Sequence, residues 1–176
     1  MLMQFISTLI ATCFYVGKLP KAPGTWGSLV VPLVLLIMVG VTGDNGFDLL
    51  VNEWFMVPFL MGLYTVGTSA TRHYMKYTGK HDPKEVVIDE VVGQLISYIM
   101  GAYAMVWVQK TSFDAFCIFL GLLFLMFRVC DITKPGLIGV IDRNMKGAHA
   151  VMLDDVAAGF VAGLVFSAGV IVWGLF

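Results

Sequence analysis

Residues 81–108 read HDPKEVVIDEVVGQLISYIMGAYAMVWV. The first ten positions carry His81, Asp82, Lys84, Glu85, Asp89 and Glu90, while 91–108 is apolar apart from Gln94 and Ser97. Eighteen such residues come close to the roughly 20 that cross a bilayer core as a helix. Asp82 can cap, Pro83 suits a first helical turn, and Glu85 completes a capping box, so the pattern predicts a helix over 83–108. Polar at one end and apolar along the rest, it suits a span that enters the membrane from a charged face.

Working outward, further apolar runs predict helices over 2–16, 29–41, 54–70, 113–129 and 155–173. The first two are the weakest and could be re-entrant or interfacial. Hydrophobic residues make up 59% of the chain and charged residues 13%, against about 25% charged in a soluble domain. A chain with so little polar surface is expected in lipid. The expected fold is all-α: one membrane-embedded domain over 1–176, a helical bundle of about six short helices. No nucleic-acid partner is expected. Cys13, Cys117 and Cys130 show no CxxC spacing and read as packing residues. No lysine or arginine precedes the first apolar run, so a cleaved secretory signal is not expected.

If six spans alternate in direction, segments 17–28, 71–86 and 128–155 share one side of the membrane. That side holds ten of the eleven Lys and Arg residues, and only Lys110 falls on the other. The positive-inside bias makes the basic side cytoplasmic. Trp54, Trp107 and Trp173 fall at the opposite ends of their helices, as an interfacial aromatic belt requires. Should the first helix not span, only the N-terminus changes sides. Asp44, Asp48, Glu53 and Asp114 sit in or beside the short opposite connections and read as solvated loop charges.

The acids on the basic side need an explanation. Asp89, Glu90, Asp131, Asp154 and Asp155 flank or enter apolar helices, where an unpaired charge costs several kcal/mol. Asp89, Gly93, Ser97 and Gly101 recur every four residues, as do Asp155, Gly159, Gly163 and Ser167. Ridges of small residues let helices approach closely in lipid. Packed together, they would bring Asp89 and Asp155 to one depth, where two carboxylates repel unless a proton or cation lies between them. A hard divalent cation, Mg²⁺ above all, suits such oxygen ligands. Arg128, Asp131 and Lys134 recur at three-residue spacing, an arrangement able to hold metal and grip phosphate together. Arg143 beside Asp142 is a further candidate phosphate contact. In the Gly-rich run Pro23-Gly-Thr-Trp-Gly-Ser28, Ser28 can cap the second helix and free N–H groups can attract an anion. Lys76, Lys80, Lys84 and Glu85 suit mutual pairing at the interface, and His73 and His81 read as solvated. His149 is a weaker candidate general acid.

Four stretches, PGTWGS at 23–28, IDEVVG at 88–93, RVCDITKP at 128–135 and IDRNMKGAHAVMLDDVAAG at 141–159, together resemble the phosphatidylglycerophosphatase A family. The resemblance implies a helical bundle in a bacterial cytoplasmic (inner) membrane, multi-pass, with its active site facing the cytoplasm. It implies Mg²⁺-dependent conversion of the lipid phosphatidylglycerophosphate to phosphatidylglycerol and inorganic phosphate, in phospholipid biosynthesis. The expected metal ligands are Asp89, Asp131, Asp154 and Asp155. The expected catalytic residues are Glu90, Asp131, Lys134 and Asp142, with Glu90 or Asp142 acting on water. Thr25, Ser28, Arg128, Lys134 and Arg143 are expected to bind the substrate phosphate. Two departures bear on substrate choice: Leu137 stands where the family usually has a second proline, and Gly147-Ala-His-Ala150 replaces a glycine-rich stretch. The alternatives are an ion or phosphate transporter and a related lipid-phosphate phosphatase with another headgroup. The aspartate spacing of the CDP-alcohol phosphatidyltransferases is missing.

Overall fold

A computed structural model describes residues 1–43, 46–109 and 112–174, so Asp44 and Lys110 lie outside the described residues. The described chain is all-helical: α1 (Leu2–Ala11), α2 (Pro23–Thr42), α3 (Phe47–Val51), α4 (Glu53–Thr78), α5 (Ile88–Trp107), α6 (Phe113–Thr133), α7 (Leu137–Asn144) and α8 (Ala148–Gly174). A 3₁₀ turn, Val16–Lys18, follows α1. The six expected helices correspond to α1, α2, α4, α5, α6 and α8; α3 and α7 are short additions. Three of them, α2, α6 and α8, are long and apolar enough to cross a membrane. Local chemistry sets several ends. Pro23 opens α2, and left-handed glycines close α2 (Gly43) and α4 (Gly79). Asn52 and Ser112 cap α4 and α6 by accepting N–H groups of Phe55 and Ala115.

The bundle is wound around α5. Fourteen of its twenty residues are buried, so it meets other helices along most of its surface, and only its far end, at Tyr103, Val106 and Trp107, is exposed. Its closest partner is α8, and the small ridges make the contact. A Cβ on Gly93 would strike the Asp155 carbonyl, and one on Gly159 would strike the Gly93 carbonyl. One turn or more along, a Cβ on Gly163 would lie 2.8 Å from Met100 Cβ, and Ser167 Oγ donates to the Met100 carbonyl at 3.2 Å. Both numberings rise together, so α5 and α8 are parallel and Asp89 and Asp155 share one end. At the far end Phe47, Phe116, Phe119 and Phe166 form an aromatic cluster, and Tyr103 OH reaches the Val51 carbonyl at 3.3 Å.

Four expected boundaries are corrected. The capping box at 82–85 does not form: α5 begins at Ile88. Val86 and Val87 are buried, Val87 N–H donates to the Ala11 carbonyl at 2.9 Å, and Glu85 pairs with Lys80. The run 23–28 is not a turn capped by Ser28 but the first turns of α2 itself, with Ser28 Oγ donating back to the Gly24 carbonyl at 2.8 Å. The last helix starts at Ala148, which puts Asp154 and Asp155 inside it and removes a capping role for Asp154. The first helix ends at Ala11 instead of residue 16, because Cys13, Phe14 and Tyr15 turn left-handed (φ 45°, 55° and 68°).

That break makes α1 about 15 Å long, roughly half a bilayer core. It packs antiparallel to the end of α4. Gly67 of α4 faces Ile88, next to the Ala11–Val87 bond, whereas Tyr77 OH bonds Thr8 further along. The N-terminus therefore lies at the end of the bundle that carries Asp89 and Asp155. At that length α1 is too short to cross a bilayer core, in keeping with the re-entrant or interfacial alternative for the first run.

Candidate active site

Three connections meet at that end: the turn before α2, the loop from α4 into α5, and the stretch from the end of α6 through α7 into α8. They are the three segments the charge pattern grouped on one side. Between them lies a cavity of about 700 Å³. Its floor is acidic. Asp89 and Glu90 come from the first turn of α5 and Asp155 from the second turn of α8. The Gly93–Gly159 approach forces these turns together, so each carboxylate offers an oxygen within 4.8 Å of the others. Asp131, near the end of α6, lies against Asp155. Glu90 N–H donates to Asp89 Oδ1 at 3.1 Å, while Glu90 Oε2 is buried with no partner. A Cβ at Gly24 would fall on Glu90 Oε1 and lie 3.2 Å from Arg128 Nη1. The glycine leaves room for both groups.

Two cations stand over this floor. Arg128 Nη1 donates to Asp131 Oδ2 at 2.6 Å and to Ser28 Oγ at 3.3 Å. Lys134 caps α6 in a left-handed conformation (φ 45°), which swings its side chain back over the cavity. Its ammonium donates to Asp142 and, at 2.6 Å, to Asp154 Oδ2. Burial pulls Lys134 down, but the bonds and charges of Asp142 and Asp154 outweigh it and hold the group above the ordinary lysine range. Lys134 therefore keeps its charge throughout the neutral and mildly alkaline range.

The expected site residues thus divide. Asp89, Glu90, Asp131, Asp154, Asp155, Asp142, Arg128 and Lys134 all line the cavity. Asp154 and Asp142 sit on Lys134, apart from the three-carboxylate cluster that Glu90 joins. Thr25, Ser28 and Arg143 are not on the wall. Ser28 stands behind it as a support for Arg128, Thr25 N–H bonds the Ala22 carbonyl inside the helix start, and Arg143 lies over Gly139 of its own helix. His149 faces Tyr64 at 3.3 Å, off the cavity. Reading the sequence missed His81, Lys84 and Lys146, which line the mouth. Their only signal was proximity in sequence to the motif carboxylates.

Carboxylates on the wall outnumber lysines and arginine by seven to four. Such a cavity would repel a phosphate unless further positive charge entered it. Hard oxygen donors, closely apposed and with one buried oxygen unpartnered, fit a divalent cation.

A family model described as phosphatidylglycerophosphatase A matches residues 9–170. Among curated proteins, the chain is similar to phosphatidylglycerophosphatase A of Escherichia coli K12, with 30% identity over 92% of this chain and 82% of that one. The Haemophilus influenzae protein of the same name is 29% identical over 89% of this chain and 84% of its own. A Bacteroides thetaiotaomicron protein, provisionally named a phosphatidylinositol-3-phosphatase, is 29% identical over 89% and 88%. No solved structure matches the chain.

Proposed function

The chain belongs to the phosphatidylglycerophosphatase A family, and from that membership we propose that it removes the terminal phosphate of phosphatidylglycerophosphate, leaving phosphatidylglycerol and inorganic phosphate. The observation that carries this reading is the meeting of three carboxylates with Arg128 and Lys134 in one cavity. The Lys and Arg distribution supports a cavity facing the cytoplasm, in a bacterial inner membrane.

Asp89 and Asp155 would hold Mg²⁺, with Asp131 and Glu90 beside them. A cation bound there polarises the phosphoryl group and offsets charge on the leaving oxygen. Arg128 and Lys134 bind the phosphoryl oxygens, Asp131 and Ser28 orient Arg128, and Asp154 and Asp142 orient Lys134. Hydrolysis joins a water oxygen to phosphorus and breaks the bond to the glycerol oxygen, which leaves with a proton. Glu90 Oε2, buried and unpartnered, orients that water and accepts its proton. Asp142 is less suited to that role, because Lys134 already engages it.

The test is phosphate release from phosphatidylglycerophosphate in detergent micelles by the purified protein. Release is expected with Mg²⁺ and is expected to stop with EDTA. Release that persists unchanged in EDTA would remove the metal from the reading, and no release at all would remove the phosphatase. The Bacteroides relative's name favours one second reading, a phosphoinositide headgroup, which the same assay run on phosphatidylinositol 3-phosphate would separate.

A further inference from the structure

Lys84 and Lys146 line the mouth of the cavity, yet neither belongs to an ion pair among the described residues. This contrasts with the cations deeper in. Arg128 is engaged by Asp131, and Lys134 by two carboxylates. At the mouth, two ammonium groups thus stand outside any ion pair among the described residues, with Asp82 on the same wall.

Both lysines are carried on pinned backbone. Lys84 lies between buried Pro83 and buried Val86, in a turn closed by the Val86 N–H to Pro83 carbonyl bond (2.9 Å) and flanked by the Lys80–Glu85 pair. Lys146 lies between Met145, whose N–H donates to the Ile141 carbonyl (2.9 Å), and Gly147, whose carbonyl accepts from Ala150 (2.9 Å). Left-handed Gly147 (φ 88°) fixes the direction in which the chain enters α8. Two cations on separate, anchored connections, opening into one cavity above Arg128 and Lys134, make a second place for an anion.

We infer that Lys84 and Lys146 form a second anion site at the cavity mouth that binds the phosphodiester of the lipid headgroup while the terminal phosphomonoester sits at Arg128 and Lys134. The inference rests on the phosphatase reading above. A phosphodiester carries one diffuse negative charge, which ammonium point charges suit and which needs no bidentate fork. Separated from the monoester by a single polyol unit, it follows the monoester into the same cavity and stops at the mouth when the monoester reaches Arg128 and Lys134. The site thus selects lipids with two phosphates over simple phosphomonoesters.

The experiment uses the purified full-length protein with Mg²⁺ and two water-soluble substrates. Glycerophosphoglycerophosphate carries the diester and the monoester; glycerol 3-phosphate carries the monoester alone. Wild type is expected to prefer the first. Each single variant, Lys84→Ala or Lys146→Ala, should lower the ratio of the two kcat/KM values about fivefold, and the double variant about twentyfold. The loss should fall on KM, shrink at high salt, and be rescued by Lys84→Arg with Lys146→Arg. A structural defect would lower both substrates together and leave the ratio unmoved. An unmoved ratio, or one that falls without rescue by arginine, overturns the inference.

Calorimetric binding of glycerophosphoglycerol, which has the diester and no monoester, gives a readout apart from turnover. Binding to wild type that is lost in the double variant supports the site even if no phosphate is ever released, in which case the phosphatase reading alone fails. Equal binding to both proteins, or none to wild type, overturns the site.

Discussion

Arg128 is held from two sides, by Asp131 three residues along its own helix and by Ser28 from a helix a hundred residues away in sequence. The first contact was legible because the i,i+3 spacing is local. The second was not, because nothing in the run 23–28 announces that its serine faces backwards onto an arginine. Acids were the easiest residues to find, since a carboxylate inside an apolar helix is costly without a reason. Lys84 and Lys146 were the hardest, because a lysine in a polar connection looks the same whether it faces solvent or a cavity. Asp131→Asn should abolish phosphate release while the circular dichroism spectrum stays native. Normal turnover in that variant would remove Asp131 from the site. Ser28→Ala should keep the fold and lower kcat/KM about fivefold, the worth of about one hydrogen bond, because Arg128 then has one support instead of two.

At the scale of elements, the two four-residue ridges were readable because their period matches one face of a helix. They meet as expected, with Gly93 and Gly159 in backbone contact. Helix starts were less readable. The box at 82–85 has the right residues, but burial of Val86 and Val87 and the Val87–Ala11 bond hold the chain outside a helix until Ile88. Propensity near a terminus is worth about 1 kcal/mol, and burying two valines is worth more. A matched pair of substitutions tests the ridge. Gly159→Ala places a methyl on the Gly93 carbonyl and should cost about 1–3 kcal/mol, seen as a lower unfolding temperature in detergent. With Mg²⁺ bound as proposed, the variant should also gain less stability from the ion, since Asp89 and Asp155 are pushed apart. Gly169→Ala, in the same helix with nothing within 4 Å of the new methyl, should leave the unfolding temperature unchanged or slightly raised. Equal losses in the two variants would mean that the ridge contact is not what limits stability.

For the whole molecule, the distribution of Lys and Arg alone gathers the three connections that line the cavity on one side, because membrane sorting acts on charge along the chain and needs no tertiary information. What it could not place was the N-terminus. The run 2–16 carries no charged residue, and composition does not show that the backbone turns left-handed at Cys13, Phe14 and Tyr15. The break costs conformational energy, about 1–2 kcal/mol for each such residue, and contacts of α1 with α4 and with Val87 offset it. The consequence is topological: Met3 should face the same compartment as Lys80, and Trp173 the other. With Cys13, Cys117 and Cys130 replaced by serine or alanine, single cysteines at Met3→Cys, Lys80→Cys and Trp173→Cys can be probed in sealed vesicles with a thiol reagent that does not cross the bilayer. Met3→Cys and Lys80→Cys should react in the same vesicle orientation and Trp173→Cys in the opposite one. Labelling of Met3→Cys together with Trp173→Cys would mean that the first helix spans after all, and the packing of α1 on the end of α4 would then have to be abandoned. The expected result instead leaves five long helices around the cavity, with α1 bracing the cavity-side end of α4 and, through Ala11, the turn that sets Asp89 and Glu90 in the cavity floor.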